Sequence, residues 1–216
     1  MLKSQPRPMG EPVEWLGNWH PLADQLGAAH GLAALGDVSA SLQLPPVTDV
    51  GSLRCFLRDY QKQVLVPLEF PAIERAYGHT SRHEVRELIA FDKSLEAQGI
   101  LEPFLEASRR VGQGELRRLA PLKDERIVRR YQDAVERGEA HAWHTIIYGL
   151  TLALYSMPLR QGLLGYGYQT TRGFIYSTAK SLRLSELDCR ALLEELCRPL
   201  TGAVDAQLAP VPVPVG

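Results

Sequence analysis

Residues 143–157 read W-H-T-I-I-Y-G-L-T-L-A-L-Y-S-M, and this stretch decides the fold. Wound as a helix, it is apolar on nearly every side rather than along one stripe. Such a helix must be covered all round, so it is read as the central helix of a bundle. It is too short to span a bilayer, which takes about 20 apolar residues.

The flanking segments each carry a single apolar face. Leu53, Phe56, Leu57, Tyr60 and Val64 recur at i, i+3, i+4, i+7 and i+11, which predicts a helix capped by Thr48 or Asp49 and running to about Val66. Pro67 and Pro71 kink or end it. Ser81 with Glu84 reads as a capping box for a helix burying Val85, Leu88, Ile89 and Leu95, with Gly99 as its stop. Segments 103–119 and 124–137 follow, separated by Pro121.

Beyond the centre, segment 159–182 carries Gly162, Gly165, Gly167, Gly173 and Ser177, small enough for another backbone to approach closely. Ser185 with Asp188 opens a last helix with the stripe Cys189, Leu192, Leu193, Leu196 and Leu200. No useful strand alternation and no internal repeat is present. The predicted fold is all-α, a single-domain helical bundle of about 7–10 helices. Residues 1–14 read as a flexible arm, 15–203 as the domain, and 204–216, rich in Pro and Val, as a flexible tail.

Composition agrees with a globular chain. The 216 residues carry 24 basic and 25 acidic side chains, a net charge of −1, and are 45% hydrophobic. Intrinsic disorder is excluded for the bulk of the chain. The near-neutral balance supports neither a nucleic-acid nor a membrane partner. Cys55, Cys189 and Cys197 have no paired spacing, so reduced thiols in a cytoplasmic protein are expected. No apolar secretory signal is visible at the start.

The chemistry-bearing motifs resolve into few candidates. His79 and His83 are four apart, a metal-binding spacing on a helix, but a cap at Ser81 leaves His79 outside that helix. His141 and His144 stand before the central helix as partner-contact or plain surface histidines. No metal site is assigned to either pair. Gly162–Gly167 lacks the Lys-Ser/Thr ending of a phosphate loop, and no Gly-x-Ser-x-Gly turn occurs. No cofactor site and no catalytic residue is assigned, and the chain is read as a non-enzyme. Residues 102–137 hold nine basic and seven acidic side chains. They read as a solvated face or as a surface for an acidic protein partner. Tyr166, Tyr168 and Tyr176 on the glycine-rich helix read either as core or as a packed interface.

From Val47 to about Leu200 the chain resembles the urease accessory protein F family. The likeness is carried by V-T-D-V-G-S-L-R-C-F-L at 47–57 and A-S-R-R-V-G-Q-G-E-L-R-R-L at 107–119. Then, in order, come I-I-Y-G-L at 146–150, Met157-Pro158-Leu159, Y-G-Y at 166–168 and K-S-L-R-L at 180–184.

The resemblance implies an all-α, non-enzymatic, dimeric adaptor. Such a protein binds a D/H-type accessory protein and a G-type GTPase to load nickel into apo-urease. Tyr166, Tyr168, Lys180, Arg183 and His144 are the contact residues expected on that reading. Departures are concentrated at polar signature positions. Leu22-Ala23-Asp24 matches the family's N-terminal signature, but its later His and Ser read Ala34 and Leu35, and its Gly-Leu-Glu reads Asp37-Val38-Ser39. Gly-His-x-Pro reads Ala142-Trp143-His144-Thr145, and Pro-Leu-Gly-Gln reads Arg183-Leu184-Ser185-Glu186. In place of the arginine that precedes the two tyrosines stands Leu164, and a polar C-terminal tail is replaced by Pro-Val repeats. Two other readings stand beside the adaptor. One is a bundle binding a small molecule or metal through His141, His144 and the tyrosines; the other is an interaction module unrelated to urease.

Overall fold

The computed structural model describes residues 38–40, 42–95, 102–119 and 125–209. All the regular elements among them are helical. They are α1 (Val50–Tyr60), a π-helical stretch (Gln61–Glu69), α2 (Phe70–Ser81), α3 (Val85–Leu95), α4 (Glu102–Arg118), α5 (Arg126–Glu136), α6 (His144–Leu154), α7 (Leu159–Ala179), α8 (Glu186–Cys197) and α9 (Leu200–Gln207). The expected arm at 1–14, the matched Leu22–Asp24, and the stop and break at Gly99 and Pro121 lie outside the described residues.

Asp49 is the cap of α1. Its Oδ1 accepts the Ser52 N–H at 2.8 Å, and Ser52 Oγ accepts the Asp49 N–H at 2.9 Å, closing a reciprocal box. Leu53, Phe56, Leu57 and Tyr60 are buried as the periodicity predicts. The helix does not end at Val66. It widens into the π stretch, which contains Pro67, and continues into α2. Proline has no N–H to give and its ring crowds the carbonyl of the preceding turn. An extra residue per turn relieves both demands, and the Phe70 N–H reaches back to Leu65 O. Pro71 then falls in the first turn of α2, where its missing N–H costs little.

The capping box expected at Ser81 is absent. Ser81 is the last residue of α2, and its hydroxyl donates to Tyr77 O at 2.9 Å. His79 is therefore inside a helix and buried, against the sequence reading. His83 turns the chain with a left-handed φ of 57° before α3 begins. By contrast, Ser185 and Asp188 form the predicted box on α8.

α6 is central because it divides the core. Tyr148 and Leu152 face one apolar cluster, built with α1, the π stretch, α7 and α8. Trp143, Ile146, Ile147 and Leu150 face the other, built with α2, α3, α4 and α5. Ile146, Leu150 and Leu152 are fully buried, each worth about 1.5–3 kcal/mol relative to exposure. Gly149 lets α6 lie on α2: a Cβ there would meet Ile73 O at 2.5 Å.

The last stripe is broken in two. Pro199 precedes a new helix, so Leu200 belongs to α9 and pairs with Val204 one turn on. Val204 is fully buried and Arg160 grips Asp205 at 2.6 Å. Residues 204–207 are thus helix, not the start of the tail as predicted from composition.

Candidate functional site

Five side chains were expected to make contacts with partners, and the structure separates them. Tyr166 and His144 are inside the protein, 1% and 4% exposed. Tyr168 is half-buried, and Lys180 and Arg183 are exposed. Tyr168 and Lys180 lie about 18 Å apart along the axis of α7 at 1.5 Å per residue. The five do not form one patch.

Tyr166 is the middle of a buried polar-aromatic cluster. Its ring stacks on His144 at 5.7 Å and meets Tyr148 edge-on at 5.0 Å. Its hydroxyl donates to Glu69 Oε1 at 3.1 Å. Tyr148 donates to Gly162 O at 3.0 Å. Glu69 closes the π stretch. The residue as a whole is half-buried, and its Oε2 is shut off from solvent. Burial pushes the Glu69 carboxyl up to about 7, against the opposing pull of Tyr166 and Tyr60. Burial also drives His144 down to about 3, so its imidazole is neutral at ordinary pH. A neutral ring suits its place in the first turn of α6, at the positive end of the helix dipole. His144 is not a surface histidine in this fold.

A second buried group holds the opening of α6. Asp92 on α3 accepts the His141 N–H at 2.6 Å on Oδ1. Its Oδ2 accepts the Tyr131 hydroxyl at 2.5 Å and the Ala142 N–H at 3.1 Å. The indole N–H of Trp143 donates to the Asp92 carbonyl at 2.9 Å. Ala142 adopts a left-handed φ of 58°, which turns these N–H groups toward one carboxylate. Desolvation raises the Asp92 carboxyl above its ordinary value, while these bonds act in the opposite direction. Ser108 Oγ takes the next donor, the His144 N–H, at 3.1 Å. Sequence reasoning passed over Asp92 and Glu69. The signal for Asp92 was present: it lies four residues after Leu88 and seven after Val85, an acid on an apolar stripe.

The histidine pair at 79 and 83 is not brought together for a metal. His79 Nδ1 lies 2.8 Å from Glu84 Oε2, and Arg75 Nε donates to His79 Nε2 at 3.4 Å. Among the described residues no group of three or more His, Cys, Asp or Glu side chains is placed to hold a metal. No described helix is long and apolar enough to cross a membrane.

Lys180 and Arg183 mark the turn from α7 to α8. The Leu184 N–H returns to Ala179 O at 2.8 Å, and Arg183 takes the left-handed position with φ 55°. Beside them Tyr176 donates to Glu186 Oε1 at 2.9 Å. The turn presents two cationic side chains on a backbone held at both ends.

Comparison with known proteins completes the description. The UreF family model matches residues 47–197, from the buried Val47 to the last residue of α8. A urease accessory protein UreF of Actinobacillus pleuropneumoniae is 23% identical over 135 residues, covering 62% of this chain and 60% of the relative. The proteins of the same name from its serotype 3 (strain JL03) and serotype 5b (strain L20) are each 22% identical over the same coverage. The matched region spans about three fifths of the length of these curated relatives.

Proposed function

The chain belongs to the UreF family, a family of urease accessory proteins rather than enzymes, and on that premise we propose that it is an adaptor in urease maturation. In this reading it works in the cytoplasm, as a homodimer, and holds a D/H-type scaffold and a G-type GTPase in register. The assembly delivers nickel, as cargo, to apo-urease. The adaptor itself supplies surfaces, not chemistry.

The observation that carries the reading is the extent of the family match. It runs from α1 through α8, and so takes in the second apolar cluster, most of the first and the central helix between them. The buried polar groups support it in a second way. Glu69, Tyr166, His144 and Asp92 are spent on joining helices to one another. The exposed cations at the α7–α8 turn and the half-buried Tyr168 are what remains of the expected contacts.

The test is co-expression with the D/H-type and G-type proteins of the same organism, followed by size-exclusion chromatography with light scattering. Co-elution in a complex holding more than one copy of this chain is expected. A chain that elutes alone at micromolar concentration contradicts the adaptor role.

A further inference from the structure

The π stretch is fastened to α7 at both of its ends, and only one fastening carries a proton. At its start, Gln61 Nε2 donates to Thr171 Oγ1 at 3.3 Å and to Leu196 O at 3.1 Å. At its end, Glu69 Oε1 accepts the Tyr166 hydroxyl at 3.1 Å. Thr171 and Tyr166 are both buried on α7. An amide holds the first joint at any pH. The second depends on a carboxyl group whose other oxygen, Oε2, is buried with no hydrogen-bond partner among the described residues. A buried oxygen without a donor suits the neutral acid and penalises the carboxylate.

The described surroundings offer no counter-charge. Tyr60 of α1 and Tyr166 of α7 face the carboxyl, and their pull toward ionisation is weaker than the opposition of burial. Behind Tyr166, Tyr148 and the neutral His144 of α6 close the cluster. On α2, Glu74 accepts from Gln207 of α9, and Arg75 lies over the Phe91 ring of α3. Asp205 of α9 is held by Arg160, and Lys62 of the stretch itself is exposed. The carboxylate nonetheless has a way out. Pro67 gives no N–H to the helical ladder, and Pro67 and Leu68 are both exposed just before Glu69. This end of the stretch lies at the surface, so Glu69 reaches water by turning outward.

We infer that Glu69 is a proton-operated latch: protonated, it locks the end of the π stretch to α7 through Tyr166; ionised, it turns to solvent and lets that end open about the fixed joint at Gln61. The inference goes beyond the adaptor reading and does not depend on it. The sign follows from the protons bound. The closed form keeps its proton to about pH 7, whereas a solvated Glu69 keeps it only to about 4.5. Opening therefore becomes easier by up to about tenfold per pH unit between those values and levels off above them. The device sets how firmly α7 is held to the continuous α1–π–α2 segment near neutral pH.

Peptide-resolved hydrogen exchange of the full chain from pH 5 to pH 9, corrected for intrinsic exchange rates, tests the latch. Protection over 61–72 and 162–170 is expected to fall at least about tenfold between pH 5 and pH 8. Protection over 85–95 and 126–136, in the other half of the core, stays level. Glu69→Gln cannot ionise and holds the π-stretch protection level across the range. Tyr166→Phe removes one pull toward ionisation, so the fall extends to higher pH before it levels off. If Glu69→Gln does not fold, the wild-type pattern and the Tyr166→Phe shift decide. Protection independent of pH, a loss spread equally over all the helices, a loss retained in Glu69→Gln, or a fall that Tyr166→Phe leaves in place overturns the inference.

Discussion

The phenol of Tyr166 meets the carboxyl of Glu69 at 3.1 Å, tying α7 to the end of the π stretch across the core. Two consequences follow for stability and pH. Burial holds the Glu69 proton to about pH 7 in the folded chain, against an ordinary value of 4.5. Between those two pH values the folded state binds more protons than the unfolded state. Stability therefore falls as pH rises from about 4.5 through 7, the reverse of a salt-bridged acid. Glu69→Gln, which mimics the protonated form, flattens this slope. Urea midpoints of the two proteins at pH 5 and pH 8 measure it, and parallel slopes contradict the assignment.

Asp92 supports the opening of the central helix, and its removal leaves the Tyr131 hydroxyl and the His141 and Ala142 N–H groups without their acceptor. Asp92→Ala is expected to cost about 3 kcal/mol or more, the penalty for stranding several buried donors. Chemical denaturation at neutral pH reads this directly. A cost under about 1 kcal/mol would mean that water replaces the carboxylate.

Gly112 and Gly114 sit two residues apart on α4 and should respond to alanine with opposite signs. A Cβ at Gly112 would lie 1.9 Å from Ala142 O, so the segment leading into α6 must move. Overpacking of this kind costs about 1–3 kcal/mol. At Gly114 nothing lies within 4 Å of the added Cβ. There the gain in helix propensity should stabilise by up to about 1 kcal/mol. Thermal melts of the two single variants test the pair.

The exposed cations of the α7–α8 turn and the buried tyrosine before them separate contact from support. Lys180→Glu/Arg183→Glu should weaken association with the D/H-type or G-type protein while changing stability by less than about 0.5 kcal/mol. Tyr166→Phe should do the opposite: lose about 1 kcal/mol of stability with its hydrogen bond and leave association intact. Melting curves and pull-downs of the same preparations distinguish them. Weakened association from Tyr166→Phe alone would return that residue to the interface.

The sequence was most legible where a local rule decides the outcome. The all-round apolar stretch at 146–152 could only be central, and the caps at Asp49 and Ser185 depend on neighbours three residues away. Pro67 reads as a kink or an end of the helix; the helix does not end there, because the π stretch changes the period and carries the chain through it. The same shift in period hides Glu69, whose position on the helical face cannot be counted from Tyr60 in steps of 3.6. Ser81 illustrates the ambiguity of capping patterns, since a serine that could cap the next helix instead bonds back to the one it ends. From sequence, His144 before the central helix reads as a partner-contact or surface histidine, and Tyr166 on its glycine-rich helix as either core or interface. What settled their burial was tertiary: α7 crosses α6 where the two rings can stack. The start of α8 follows from the cap at Ser185, which its spacing to Asp188 made legible.

The central claim is that this chain is an adaptor within a urease-maturation assembly. Its most direct test is the co-expression of the chain with its cognate D/H-type and G-type proteins, read by size-exclusion chromatography with light scattering. The account predicts one peak whose mass contains at least two copies of this chain and both accessory proteins. A peak of the chain by itself, with the two accessory proteins eluting elsewhere, contradicts it.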